Sequence, residues 1–277
     1  MADAVVVGAG HNGLVAANLL ADAGWEVEVL EATGEAGSVR TAELTLPGFR
    51  SDVFSAFYPL GIASPILRRL RLEEHGLEWV HAPLVVAHPH ADGRCAVLSR
   101  DLAETAASLD AFAPGDGAAW ERLYGRWRRL RGPVLSGLFS LFPPRQGRVR
   151  PGHPDAAPGP AAHGPLRPAA GPASDRGGVR RRRRGLLLGG NALHADIGPE
   201  APGSGFLGFL LCSIGQELGY PAVKGGAGEL PAALVRRLEA RGGRVCCHSR
   251  SRRWRSGTGG RWPCAPPTAT SSPWSGL

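Results

Sequence analysis

Gly8, Gly10 and Gly13 stand at G-x-G-x-x-G spacing, and Glu31 follows Gly10 by 21 residues. The first glycine permits a tight turn, the second lets backbone approach a pyrophosphate, and the third lets a helix pack closely on a strand. His11 and Asn12 share the loop, and they are read as lining a diphosphate rather than as proton-transfer groups. A carboxylate at position 31 can accept hydrogen bonds from the ribose diol of an adenosine, and it would repel a 2′-phosphate. These residues together point to a dinucleotide.

Such a constellation works only if regular elements hold it. Val5–Val7 is a β-branched run of the kind that forms a parallel strand buried on both faces. Leu14, Ala17, Leu20 and Ala21 then recur at helical spacing, so one stripe of the following helix faces the sheet, and Gly24 ends it. Trp25–Leu30 supplies a second strand that carries Glu31 at its carboxyl end. Free N–H groups at the start of the helix face the diphosphate.

The remainder of the chain is expected to build a second region. Leu44–Phe54 reads as an extended segment, with Asp52 a turn residue. Ser64 and Pro65 start a helix running through Leu72, and Leu84–Ala87 and Ala96–Leu98 form a hairpin around an Asp92-Gly93 turn. His88 and His90 belong to that turn region, and no third metal ligand accompanies them. Asp101–Phe112 and Gly117–Leu130 are predicted helices, with Trp120 and Trp127 on the apolar stripe of the second as core residues or as the wall of a substrate cavity. Phe206–Leu218 is apolar and helix-like. Its run Phe206–Ile214 is too short to span a bilayer, so a core helix is expected, with peripheral membrane contact the alternative. A last helix carries Leu230, Leu234 and Leu238 on one side and leads to a strand at Arg244-Val245. Lys224, the only lysine, reads as a surface residue.

Net charge of +8 would suit a nucleic-acid binder were it spread over a folded surface. It is concentrated instead in residues 144–185, which include Arg180–Arg184, and in residues 246–277, which hold five arginines and no acid. Neither stretch has apolar periodicity. Each is read as an out-of-frame translation of GC-rich coding sequence, with a disordered basic linker or a basic tail the alternative. Nucleic acid is therefore an unfavoured partner. The five cysteines lack paired C-x-x-C spacing, and no basic region precedes the first apolar run, so a cytoplasmic protein without a metal site is expected. Oligomeric state is not encoded in any pattern.

VVGAGHNGL, VEVLEA and the following glycine loop ending in Arg40-Thr41 resemble the phytoene-desaturase-like flavin oxidoreductases, in the branch called pyridine nucleotide-disulphide oxidoreductase domain protein 2. The resemblance implies FAD as cofactor, with Gly8, Gly10, Gly13, Glu31 and Arg40 at the positions that contact it, and His11 and Asn12 join them as the residues read above as lining the diphosphate loop. Where the family shows adjacent glycines before the arginine, Gly37 stands alone here. The implied fold is α/β, a Rossmann-type FAD-binding β-α-β domain with an inserted α+β substrate domain, incomplete at the carboxyl end. The corresponding partition is a Rossmann unit at 1–43, substrate domain at 44–143 and 186–226 around the Arg/Pro/Gly segment 144–185, a returning helix and strand at 227–245, and an aberrant basic tail at 246–277. The implied activity is dehydrogenation or desaturation of a small hydrophobic substrate of carotenoid or isoprenoid type. A nicotinamide-dependent oxidoreductase, an inactive fragment and an arginine-rich nucleic-acid binder are the alternatives.

Overall fold

A computed structural model describes residues 2–140, 186–194, 196, 198 and 201–249. The segment 144–185 and the tail beyond residue 249 lie outside the described residues, as do the expectations attached to them. The described residues form two compact units. One takes in the chain up to Tyr58, Ile66–Val80 and the residues from Ala222; the other takes in Pro59–Pro65 and the described part of His81–Pro221.

In the first unit, β1 (Ala4–Val7) leads through the glycine loop into α1 (His11–Asp22) and then β2 (Val27–Leu30). The two strands are parallel, with Val5 opposite Glu28 and Val7 opposite Leu30. Leu14 and Ala17 of α1 are fully buried, and Leu20 and Ala21 pack against the same core. The helix stops at Ala23-Gly24, where Gly24 takes φ +86°. Two local expectations shift. Strand β2 begins at Val27, leaving Trp25 48% exposed, and β1 is only half-buried, with Val7 52% exposed. The cause is strand order: among the described residues β2 lies between β1 and a parallel strand at Arg244–Cys246, so β2 is central and β1 lies at an edge.

After β2 come β3 (Thr41–Glu43) and β4 (Arg50–Asp52), an antiparallel pair that puts Thr41 opposite Asp52. The chain continues through α2 (Pro59–Ala63), α3 (Pro65–Leu70), a 3-10 turn at Leu72–His75 and β5 (Trp79–Val80). The helix expected to run from Pro65 to Leu72 thus breaks at Arg71, whose φ is +49°.

The second unit is built on a hairpin of β6 (Val86–Pro89) and β7 (Cys95–Leu98), followed by α4 (Leu102–Asp110), α5 (Asp116–Leu138), α6 (Leu186–His194) and α7 (Ser204–Leu218). Asp101 caps α4 by accepting the Ala103 N–H at 2.8 Å. Helix α5 runs eight residues past its expected end and through Pro133. An internal proline costs about 3 kcal/mol, and here Val134 and Leu135 offset it by packing on the cluster of Trp127, Leu210 and Ile214. Both tryptophans are core residues: Trp120 Nε1 donates to Gln216 Oε1 at 3.0 Å and Trp127 Nε1 to Glu217 Oε2 at 2.8 Å. Helix α7 buries Leu210, Cys212 and Ile214, the fate expected of a core helix, and burial pushes the Cys212 thiol up to about 12. No helix among the described residues is long and apolar enough to cross a membrane.

The chain re-enters the first unit at β8 (Ala222–Val223), which pairs antiparallel with β5, then forms α8 (Glu229–Glu239) and β9 (Arg244–Cys246). Strand β9 lies parallel to β2, with Val29 opposite Val245. Leu230, Leu234 and Leu238 of α8 are buried in the core that also holds Leu14, Ala17 and Val29. The mixed α/β fold with a parallel Rossmann-like sheet is the one expected.

Candidate dinucleotide site

The site is assembled at the carboxyl ends of β1 and β2, where strand ends, glycine loop and helix start meet. Gly8 takes φ +96° and turns the chain out of β1. Gly13 is required for a different reason: a Cβ there would sit 2.1 Å from the Gly8 carbonyl oxygen. The first turn of α1 therefore lies directly against the backbone that leaves the strand, which brings the helix N-terminus and its free N–H groups to the loop. Gly10 is the N-cap of α1 and has no side chain to satisfy those groups. His11 and Asn12, the first two helical residues, are exposed.

Glu31 stands immediately beyond β2. Its Oε2 accepts the Ala9 N–H of the glycine loop at 2.8 Å, and its Oε1 accepts the Thr33 N–H at 2.8 Å and the Thr33 hydroxyl at 2.9 Å. Burial alone would raise the Glu31 carboxyl, but the hydrogen bonds from Thr33, Ala9 and Ala32 outweigh it and hold the group below the ordinary carboxylate range. Glu31 is thus an ionised acceptor fixed against the loop, and Oε2, rather than the Oε1 that already takes two donors from Thr33, is the oxygen open to a sugar hydroxyl.

A second loop closes on the first. The Gly37 N–H donates to the Ala9 carbonyl at 2.8 Å. Gly37 has φ +116°, and a Cβ there would lie 2.7 Å from the Pro231 ring, so α8 packs against this loop as tightly as a glycine allows. Ser38 then reaches His11, its Oγ accepting the His11 N–H at 3.4 Å and lying 2.5 Å from Nδ1. Arg40 is held aside in an ion pair with Glu35, Nε to Oε1 3.1 Å. The structure therefore groups Gly8, Gly10, Gly13, His11, Asn12 and Glu31 around one loop, with Arg40 on the second loop beside them.

Sequence reading assigned no role to several groups that support this arrangement. Asp52 is a strand residue rather than a turn residue, and its Oδ1 accepts both the Thr41 hydroxyl at 2.7 Å and the Ala227 N–H at 2.8 Å. Thr41 in turn accepts the Gly228 N–H at 3.0 Å, so the β3–β4 pair is fastened to the start of α8. Arg237, buried in α8, donates to the Leu70 carbonyl, to Asn18 Oδ1 and to Asp22 Oδ2 at 2.7, 3.0 and 2.9 Å. Ser38 had a signal, since it follows the lone Gly37 where a second glycine was expected. Lys224 pairs with Glu78 on the surface at 2.8 Å. His90 sits 3.0 Å from Asp92, and no cluster of three or more metal-ligating side chains occurs among the described residues.

A β-α-β unit with a glycine loop, a helix start aimed at it and a fixed carboxylate at the end of the second strand defines a dinucleotide-binding α/β protein. Its affiliation is narrower. Residues 3–153 match the model of the family described as FAD dependent oxidoreductase, and the chain belongs to that family, whose cofactor is FAD. Over 133 residues it is 29% identical to a limonene dehydrogenase component of Castellaniella defragrans, covering 48% of this chain and 24% of that protein. Over 273 residues it is 27% identical to pyridine nucleotide-disulfide oxidoreductase domain-containing protein 2 of Rattus norvegicus, covering 88% of this chain and 46% of that protein. The chain thus spans less than half the length of these relatives. Among solved structures, an oxidoreductase from Methanosarcina mazei aligns over 88% of this chain and 50% of its own, at 16% identity and a TM-score of 0.46.

The residues present fit the adenosine-diphosphate part of FAD. The test is local: the space that a Cβ at Gly13 would fill is taken up by loop backbone, Gly10 caps α1 with no side chain of its own, and Glu31 is ionised. Backbone N–H groups at the start of α1 would hold the diphosphate and Glu31 the ribose.

Proposed function

We propose that this chain binds FAD through the β1–α1–β2 loop and Glu31 and acts in the flavin-dependent dehydrogenation or desaturation of a small hydrophobic substrate of isoprenoid or carotenoid type. The observation that carries the cofactor half is the Glu31 carboxylate bonded to the Ala9 N–H, which ties ribose acceptor and diphosphate loop into one rigid unit. The substrate half rests on the resemblance to phytoene-desaturase-like enzymes. It is supported by the relative whose name gives limonene, a hydrocarbon, as what it dehydrogenates. A bound flavin supplies the hydride acceptor for such chemistry, and the protein's part is to orient the substrate and exclude water. No side chain is assigned as acid or base. Nucleic acid plays no part in this reading, which takes the protein as cytoplasmic and proposes peripheral membrane contact as the means of reaching an apolar substrate.

The test is reconstitution. The purified chain is incubated with FAD, freed of excess by gel filtration and scanned in the visible. A retained yellow spectrum supports the cofactor half; a colourless protein that instead quenches NADH fluorescence overturns it in favour of a nicotinamide enzyme. Anaerobic bleaching of retained flavin by an isoprenoid hydrocarbon, with the hydrocarbon recovered in oxidised form, supports the substrate half. Unbleached flavin across a panel of terpenes and carotenoids overturns it.

A further inference from the structure

Helix α1 begins without a local cap. Its N-cap, Gly10, has no side chain, so the first amides of the helix have only distant groups or ligands to bond. One of those donors is already engaged. Ser38, 27 residues further on, accepts the His11 N–H at 3.4 Å while its hydroxyl lies 2.5 Å from Nδ1 of the His11 ring. The same serine covers the open face of Gly10: a Cβ built there would lie 3.8 Å from both Cβ and Oγ of Ser38.

The backbone delivering Ser38 is fixed. Gly37 donates to the Ala9 carbonyl and abuts Pro231, so Ser38 is presented to the loop from a braced position.

We propose that Ser38 is an internal occupant of the diphosphate position, its oxygen standing at the His11 amide where a phosphate oxygen stands when a dinucleotide binds, with the His11 ring as its latch. This rests on the reading of the loop as a dinucleotide site and adds to it a residue that weakens binding. In the tautomer that leaves Nδ1 as acceptor, the hydroxyl spends its one proton on the imidazole while accepting the His11 amide, so it offers an incoming phosphate competition and no donor of its own. Ser38 and His11 are positioning residues: they set how tightly the site holds its ligand and leave its class to the glycines and Glu31.

Calorimetric titration with ADP of the full chain, and of Ser38→Ala, His11→Ala and the double variant, tests this. A single net hydrogen bond is worth about two- to tenfold in affinity, so Ser38→Ala is expected to bind ADP about two- to tenfold tighter than the parent. His11→Ala should move the same way by less, because the amide bond to Ser38 remains, and the double variant should bind no tighter than Ser38→Ala. A merely structural role for Ser38 would loosen binding, so a Ser38→Ala affinity equal to or weaker than the parent's overturns the proposal while leaving the dinucleotide reading in place. A parent chain and a Ser38→Ala variant that both fail to bind ADP overturn both. If Ser38→Ala shows no cooperative melt, His11→Ala decides alone, tighter binding supporting the latch and unchanged binding overturning it.

Discussion

Gly13 shows how one missing methyl group positions a cofactor loop. The atom a Cβ would strike is a backbone carbonyl, that of Gly8, which cannot swing aside as a flexible side chain could. Gly13→Ala must therefore push α1 away from β1, and overpacking of this kind costs about 1–3 kcal/mol. The expected result is a lower urea midpoint together with loss of measurable ADP binding. Equal binding to the parent would show that the helix start need not sit so close. Glu31 sits at the opposite end of the same logic, because its value lies in charge. Glu31→Ala removes an ionised acceptor and strands the Ala9 N–H, and hydrogen bonds to charged groups are worth about 1.5–3 kcal/mol. Binding of ADP should weaken about ten- to a hundredfold by calorimetry. Cys247 offers a reporter beside it. Burial raises that thiol above its ordinary value, and the charges of Glu31 and Glu35 raise it further, so the neutral thiol persists to higher pH than in a free cysteine. Alkylation of Cys247 by iodoacetamide, followed by peptide mass spectrometry, should climb with pH later than for a model thiol, and Glu31→Ala should shift the climb to lower pH.

Elements explain which parts of this were legible beforehand. The β1–α1–β2 unit was readable because its determinants are local: β-branched strand residues, glycines at fixed offsets and a stripe at helical spacing all lie within residues 4–31. Helix α8 was readable for the same reason, through Leu230, Leu234 and Leu238. What joins these elements was not. Asn18 looks like a polar interruption of the α1 stripe, yet it is fully buried, donating to the Leu14 and Leu234 carbonyls at 2.9 and 3.0 Å and accepting from Arg237. Arg237 looks like a solvent-facing residue on an amphipathic helix, yet it is 4% exposed. Apart from Leu14, the groups these two side chains bond are remote in sequence, so no spacing rule could announce them. Along α5 the difference ran the other way: the helix outruns its expected end at Leu130 and continues through Pro133, because Val134 and Leu135 pack on the cluster of Trp127, Leu210 and Ile214. Breaking a buried charged network by removing one partner costs about 3–5 kcal/mol, and truncating a buried leucine to alanine costs about 2–5 kcal/mol. Arg237→Ala should therefore destabilise the first unit about as much as Leu234→Ala in urea melts followed by circular dichroism. An Arg237→Ala loss below about 1 kcal/mol would mean that Asp22 and Asn18 find other partners.

Acid should unfold the molecule in two stages, because two kinds of titrating group differ between folded and unfolded chain. His75, His81 and His88 are all held below the ordinary histidine value by burial, with Arg236, Arg237 and Arg241 adding to it at His75 and Arg100 at His81. A base with a depressed folded value binds fewer protons than its unfolded counterpart, so stability falls as pH drops below about 6.5. The carboxylates act lower down. Burial alone would raise Asp22, but hydrogen bonds and charge from Arg237 and Arg241 outweigh it, so Asp22, like Glu31, is held below its ordinary value. Their stabilisation is fully present above the unfolded values of 3.8 and 4.5 and is lost as pH falls through the lower folded values. Urea midpoints should then be flat above about pH 7, decline through the histidine range, and decline again below about pH 4.5. His88 tests the upper stage cleanly, because burial alone depresses it and its ring packs on Gly190 of α6, where a Cβ would lie 2.2 Å from its Cε1. His88→Gln should flatten the decline between pH 7 and 5 while leaving the lower one intact. Asp22→Asn should do the reverse, lowering the neutral-pH midpoint and shrinking the drop below pH 4.5. If both variants shift the whole curve without changing its shape, neither group is linked to the acid transition.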